Sequence, residues 1–185
     1  MHTIWGCDLQ ARGITVAACS GIGQPTALDR ALHSPHTPID RLSDLQKLSD
    51  WRAGDGVVLV LPSEWVQQCE LPIADRASVA QTRQQLWQML QFQAGWSPET
   101  HVIDWWVDRS AHPVTAMVYC IEQERIEACR QDILNMKGIP LMATPASLAR
   151  MWAGVSAPSD ESSEPDTWRC AWGGIQAWWS QERSK

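Results

Sequence analysis

Gly54-Asp55-Gly56-Val57-Val58-Leu59-Val60-Leu61-Pro62 is the stretch from which the rest of the chain is best read. Gly54-Asp55-Gly56 has the composition of a turn, and Val57–Leu61 is the strongest strand signal in the sequence. A half-buried strand alternates apolar and polar residues. This one is apolar throughout, which predicts a central strand covered on both faces. Pro62 has no N–H to give to a ladder, so the strand ends there.

Working back from this strand, Thr3–Asp8 and Ile14–Ser20 are short, apolar and rich in β-branched residues. With Gly13 between them they read as a hairpin. Thr26–His33 fits either a third strand or, through Leu28-Asp29-Arg30-Ala31-Leu32, a helix. Pro35 and Pro38 break the chain. Asp40–Trp51 then places Leu42, Leu45 and Leu48 at helical spacing, which predicts a short amphipathic helix.

Working forward, Trp65–Leu71 reads as extended and Pro72 stops it. Ser78 is placed to cap a helix from Val79 to about Phe92, with Leu86, Met89, Leu90 and Phe92 as its apolar positions. Gly95 and Pro98 close it. His101–Val107 and Val114–Ile121 are two antiparallel strands joined by the Asp108–Pro113 turn. Glu124–Met136 is a second amphipathic helix with Ile126, Cys129, Ile133 and Leu134 inward, stopped at Lys137-Gly138. Leu141–Thr144 reads as a strand end, and Pro145 starts a helix over Ala146–Ala153. Gly154–Thr167 is rich in Ser, Pro, Asp and Glu and reads as a mobile acidic linker. Trp168–Trp179 resumes with Trp168, Ala171, Trp172, Ile175 and Trp179 on one helical stripe. Gly173-Gly174 inside that stripe costs about 1 kcal/mol of helix propensity per glycine, so a close backbone contact is expected there.

The chain has 185 residues, 44% hydrophobic and 19% charged, with a formal net charge of -6. That is enough to bury a core in one domain or two small ones, and it excludes a wholly disordered chain. No apolar run reaches the roughly 20 residues of a membrane-spanning helix, and the first residues do not have the pattern of a signal peptide. The acidic balance argues against a nucleic acid backbone as a direct partner. Cys7, Cys19, Cys69, Cys120, Cys129 and Cys170 form no C-x-x-C pair and have no His at zinc spacing. Buried reduced thiols in a cytoplasm are the expected state, with no metal.

Catalytic patterns are scarce. Gly21-Ile22-Gly23-Gln24-Pro25 is a turn rather than a phosphate loop, because no third glycine and no helix follow. The His residues at 2, 33, 36, 101 and 112 are scattered, and Asp104 and Asp108 read as solvent-facing carboxylates. The odd number is twelve Trp against the single Tyr119 and the single Phe92. Trp105-Trp106 must put one indole on each face of a strand, so the set mixes core residues with an exposed aromatic surface.

The order of elements resembles the PilM/HofM family of type IV pilus assembly (DNA-utilisation) proteins. Ile4–Ala18 with Asp8 looks like the family's opening hairpin and first phosphate loop. Val57–Pro62 followed by Cys69-Glu70-Leu71-Pro72 is similar to its strand-Pro and x-x-Leu-Pro signature. Ser78–Phe92 resembles the helix entering its inserted subdomain, and Gly138–Arg150 resembles the return to the core. The resemblance implies an α/β (α+β) fold: a single actin-like (ASKHA) lobe. Subdomain 1A would comprise residues 1–61 and 139–185, and an inserted 1C-type strand-helix-strand-strand-helix subdomain residues 62–138.

Departures from the family shape the functional expectation. The second lobe, with its second phosphate loop, is replaced by residues 154–167, and Trp168–Ala177 looks like the family's final helix. Trp152, Trp168, Trp172 and Trp179 flank the place of the missing lobe and would seal it, at about 2 kcal/mol each. Gln10 and Arg12 stand where small residues would admit a phosphate, so Asp8 lies in a degraded nucleotide loop. The expectation is no ATP hydrolysis and no cofactor. In PilM-like proteins the N-terminal cytoplasmic tail of the inner-membrane protein PilN sits in a groove between subdomains 1A and 1C. Carried over, a partner-peptide groove involves Leu61, Pro62, Trp65 and Leu71 on the way into the insert, and Ala143, Thr144, Pro145 and Leu148 on the way back.

The implied function is a non-enzymatic cytoplasmic scaffold of a type IV pilus or DNA-uptake assembly, peripheral at the inner membrane. Its partner is a PilN-like protein, with room for a homo-oligomer. The alternatives are a GspL-like component of type II secretion, a minimal actin-like ATPase completed by dimerisation, and an aromatic-rich ligand-binding module. GspL continues into a transmembrane helix, whereas this sequence stops at Lys185.

Overall fold

A computed structural model describes residues 3–10, 13–20, 42–47, 50–110, 112–152 and 174. The expectations for Thr26–His33, Gly21–Pro25 and Gly154–Thr167 lie outside the described residues, as does all of the Trp168–Trp179 stripe except Gly174. The chain order begins β1 (Thr3–Gln10), β2 (Gly13–Ser20), a 3-10 helix (Leu42–Lys47), β3 (Gly56–Leu61) and β4 (Gln67–Pro72). It continues α1 (Val79–Ala94), β5 (His101–Asp108), β6 (Thr115–Glu122), α2 (Gln123–Asn135), β7 (Ile139–Pro145) and α3 (Ala146–Trp152). Two compact units result, one from the chain up to Ser63 and from Cys129 onward, the other Glu64–Ala128.

The first unit is built on a four-stranded sheet of order β2-β1-β3-β7. β1 and β2 pair antiparallel as the expected hairpin, while β3 runs parallel to both β1 and β7. All six residues of β3 are buried, as its unbroken apolar run requires of a strand with a neighbour on each side. Leu141 is left over between the pairs Val57–Pro140 and Val58–Met142, a one-residue irregularity on β7. Its side chain lies over β3: a Cβ on Gly56 would stand 2.5 Å from Leu141 Cδ1. Gly174 is helical and buried against the same sheet, where an added Cβ would meet Val60 Cγ2 at 2.7 Å. That is the close contact anticipated from the paired glycines.

The expected Asp40–Trp51 helix is shorter in the structure. Among the described residues of that stretch, Leu42–Lys47 is helical, in 3-10 form, with Leu42 and Leu45 buried and Asp44 paired to Lys47 at 2.7 Å, while Asp50 and Trp51 are not helical. The reason lies in the turn that follows. Asp55 N–H donates to Arg52 O at 3.1 Å, and the Asp55 carboxylate accepts from Arg52 N–H at 3.0 Å, so the chain is already turning at Arg52.

The second unit is a three-stranded antiparallel sheet, β4-β6-β5, with α1 on one face. Ser78 and Gln81 form a reciprocal capping box at the start of α1, and Gly95, at φ 69°, ends it. Thr82, Leu86 and Leu90 form the buried ridge, at four-residue spacing. Leu86 and Leu90 pack with Leu71, Ile103, Ala116, Val118 and Cys120. Phe92, expected to face inward, is 92% exposed. It lies two residues beyond Leu90, about 200° around the helix, so it cannot share that ridge.

A similar correction applies to α2, where Leu134 is exposed and Cys129, Ile133 and Met136 are buried. Leu134 is one residue, about 100°, away from Ile133. The stop at Lys137-Gly138 is present, but Lys137 carries the positive φ, 59°, while Gly138 N–H donates to Ile133 O at 2.9 Å. Gly138 is small for a different reason: an added Cβ would sit 3.0 Å from Trp51 and 3.1 Å from Ile133.

Candidate functional site

Asp8 lies on β1 opposite Thr15 and beside Val60, which in turn pairs with Thr144. Partners across a ladder share a face, so Thr15, Asp8, Val60 and Thr144 form one row. Asp8 is buried, and so are Val60 and Thr144. The backbone at Gly174 fills the space over Val60 and approaches Thr144, where the Cβ position is 3.8 Å from Thr144 Cγ2. The neighbouring Cys7 thiol is pushed up by burial and by the Asp8 charge, and its side chain is buried. Gln10 ends β1, paired with Gly13, and Arg12 lies outside the described residues.

The residues carried over for peptide binding fall in both units. In the first, Leu61 pairs with Pro145, and Ala143 and Thr144 precede it on β7. α3 starts at Ala146 and packs Ala146 and Ala149 on Val60, leaving Leu148 half-buried. Leu61, Pro62 and Thr144 are buried, whereas Pro145 is half-buried and Ala143 exposed. In the second unit, Leu71 is buried beneath α1, while Trp65 is half-buried. The Arg125 guanidinium stands over the Trp65 ring at 5.4 Å and donates from Nε to Glu122 at 2.6 Å. Sequence alone carries no sign of this Trp–Arg pairing, because the two residues are far apart along the chain.

Asp55 is the polar centre that the sequence reading treated only as a turn. One of its oxygens accepts from Thr3 N–H at 2.9 Å, and the other accepts from the buried Trp5 Nε1–H at 2.9 Å. Trp5 also packs against Trp51, ring centres 5.9 Å apart. Gly54 N–H donates to Lys137 O at 2.7 Å, and Ile139 N–H donates to Asp55 O at 2.8 Å, so the turn also binds the start of β7. The available signal was an acid immediately before a fully apolar strand.

Among the described residues no helix is long and apolar enough to cross a membrane, and no group of three metal-ligating side chains gathers. Among the described residues, Cys7, Cys69, Cys120 and Cys129 are free thiols, and Cys19 is buried. His101 is half-buried, stacks on Trp96 and shares a 2.8 Å hydrogen bond with Thr100. Trp105 packs against the core while Trp106 is 49% exposed, the division that alternation demanded.

No family model matches the sequence, and no curated protein matches it. Solved structures do. The cytoplasmic domain of EpsL, an inner membrane component of the type II secretion system of Vibrio cholerae, is similar at a TM-score of 0.59 and 15% identity. The match covers 85% of this chain and 60% of that one. A chain of the PilM-PilN type IV pilus biogenesis complex is similar at a TM-score of 0.56 and 13% identity, over 81% of this chain and 49% of that one. This protein therefore spans about half to three-fifths of the length of those chains, and what it shares with them is their mixed α/β fold.

Proposed function

We propose that this protein is a non-enzymatic cytoplasmic scaffold of a type IV pilus or DNA-uptake assembly, held at the inner membrane by a PilN-like partner. The carrying observation is a fold shared with the cytoplasmic domain of EpsL, named as an inner membrane component of type II secretion, and with a chain of the PilM-PilN type IV pilus biogenesis complex. In this reading the unit containing β1, β2, β3 and β7 is subdomain 1A, and Glu64–Ala128 is the core of the 1C-like insert. The buried row around Asp8 supports binding without nucleotide chemistry. Of the residues assigned to the partner peptide, the accessible ones are Ala143, Pro145 and Leu148 in the first unit and Trp65 in the second, and each is read as a separate candidate anchor. Leu61, Pro62, Leu71 and Thr144 are buried and serve the core of their own units.

Calorimetric titration with the N-terminal peptide of a PilN-like protein tests this. Binding is expected, weakened by about tenfold in Trp65→Ala or Leu148→Ala, the effect of losing one apolar anchor. No heat at high micromolar peptide overturns the partner, and a micromolar signal with Mg-ATP overturns the non-enzymatic reading.

A GspL-like role in type II secretion is the second reading. It is favoured by the larger share of the EpsL chain that the match covers, 60% against 49% for the pilus protein. Selective binding of a secretion-system peptide over the PilN-like one would support it.

A further inference from the structure

Residues of α1 occupy only one face of the β4-β6-β5 sheet. The other face carries Gln68 and Glu70 on β4, Val102, Asp104, Trp106 and Asp108 on β5, and Met117, Tyr119 and the buried Ile121 on β6, because side chains alternate along each strand. The register sets them in rows. Glu70, Met117 and Trp106 lie side by side, and in the next row Gln68, Tyr119 and Asp104 do. Val102 and Trp106 are 42% and 49% exposed, and Glu70 and Asp104 are exposed. No strand position on this face is Lys or Arg. Glu70 and Asp104 therefore stand at two diagonal corners around an aromatic and thioether centre, and a third carboxylate, Asp108, follows Trp106 on the same face, where it accepts from Ser110.

We propose that this face docks a cationic, extended segment of a partner protein, with arginine or lysine spaced among aliphatic residues. A cation there meets both a carboxylate and an indole face, two interactions that favour the same charge. Strand spacing of about 4.8 Å and a two-residue step of about 6.8 Å separate Glu70 from Asp104 by roughly 12 Å on the backbone grid. In an extended peptide that distance matches cations about four residues apart. A second copy of the chain would bring the same carboxylates and a net charge of -6, so like charges oppose it. Anionic lipid and nucleic acid are opposed for the same reason. The site uses neither the residues nor the chemistry of the partner-peptide reading above and goes beyond it.

The test uses the full chain and a fluorescein-labelled peptide with arginines four residues apart between valines and threonines. A control peptide carries glutamate in place of arginine. Anisotropy is expected to report binding of the arginine peptide only, weakening as salt rises. Glu70→Lys with Asp104→Lys is expected to weaken binding by at least about tenfold, and the milder Glu70→Gln with Asp104→Gln by about threefold or more. Trp106→Ala is expected to cost about fivefold. Asp75→Lys with Glu124→Lys, the same change of charge elsewhere on this unit, should stay within about twofold. Thermal midpoints close to the parent's establish that each variant is folded. Equal losses in the two lysine pairs, no loss in Trp106→Ala, or no binding below about 1 mM overturns the proposal. Self-association that disappears in Glu70→Lys with Asp104→Lys also overturns it, by giving the face to a second copy.

Discussion

Asp55 gathers donors from three places, Thr3, Trp5 and Arg52, onto one buried carboxylate. Removing it leaves the Trp5 indole N–H buried without its acceptor, and hydrogen bonds to a charged group are the stronger kind. Asp55→Ala should cost about 3 kcal/mol, read as a lower urea midpoint, while Asp55→Asn, which keeps one oxygen, should cost less. The thiols give a pH prediction. Burial, with a smaller contribution from Cys69, pushes Cys120 up from 9.0 to about 11. The folded state thus holds the thiol proton more tightly than the unfolded chain does. Its contribution to stability is complete below about pH 9 and is lost as pH climbs toward 11. Urea midpoints at about pH 8 and pH 10.5 should fall further for the parent than for Cys120→Ala.

At the scale of elements, three glycine-linked positions behave differently. Gly174→Ala gains helix propensity of about 1 kcal/mol. The new methyl, however, meets the stiff, buried Val60, and overpacking costs about 1–3 kcal/mol, so net destabilisation is expected in urea unfolding. Lys137→Gly should instead stabilise by about 1 kcal/mol, since it relieves a left-handed backbone. Gly56 lies under a flexible leucine end, so Gly56→Ala should be milder than Gly174→Ala. On α1, Leu86→Ala should cost about 3 kcal/mol and Phe92→Ser less than about 0.5, because Leu86 is fully buried and Phe92 lies opposite the ridge.

For the whole molecule, the acidic balance predicts no retardation of duplex DNA at physiological salt, at about 10 μM protein. The two faces of the second unit show how one sheet serves structure and recognition together. Leucines from α1 close one face, while carboxylates and aromatics stay in water on the other. Gel retardation and the peptide titrations examine these two statements separately.

Periodicity made the central strand, the hairpin, the two long helices and their caps legible, because backbone geometry and local solvation act over a few residues. It also placed Trp105 and Trp106 on opposite faces. It fails at Phe92 and Leu134, apolar residues that lie near a buried ridge but point away from it. It fails again at the Asp40–Trp51 helix, which gives way to a turn held by Asp55. Asp55 binding Trp5, Arg125 covering Trp65 and Gly174 packed on Val60 join positions far apart in the chain. No local pattern encodes such meetings. Local patterning settles most of the strands and helices and most of their apolar faces. Which carboxylate is buried with donors and which stands open to a partner is set by three-dimensional packing, because burial depends on what folds over a side chain.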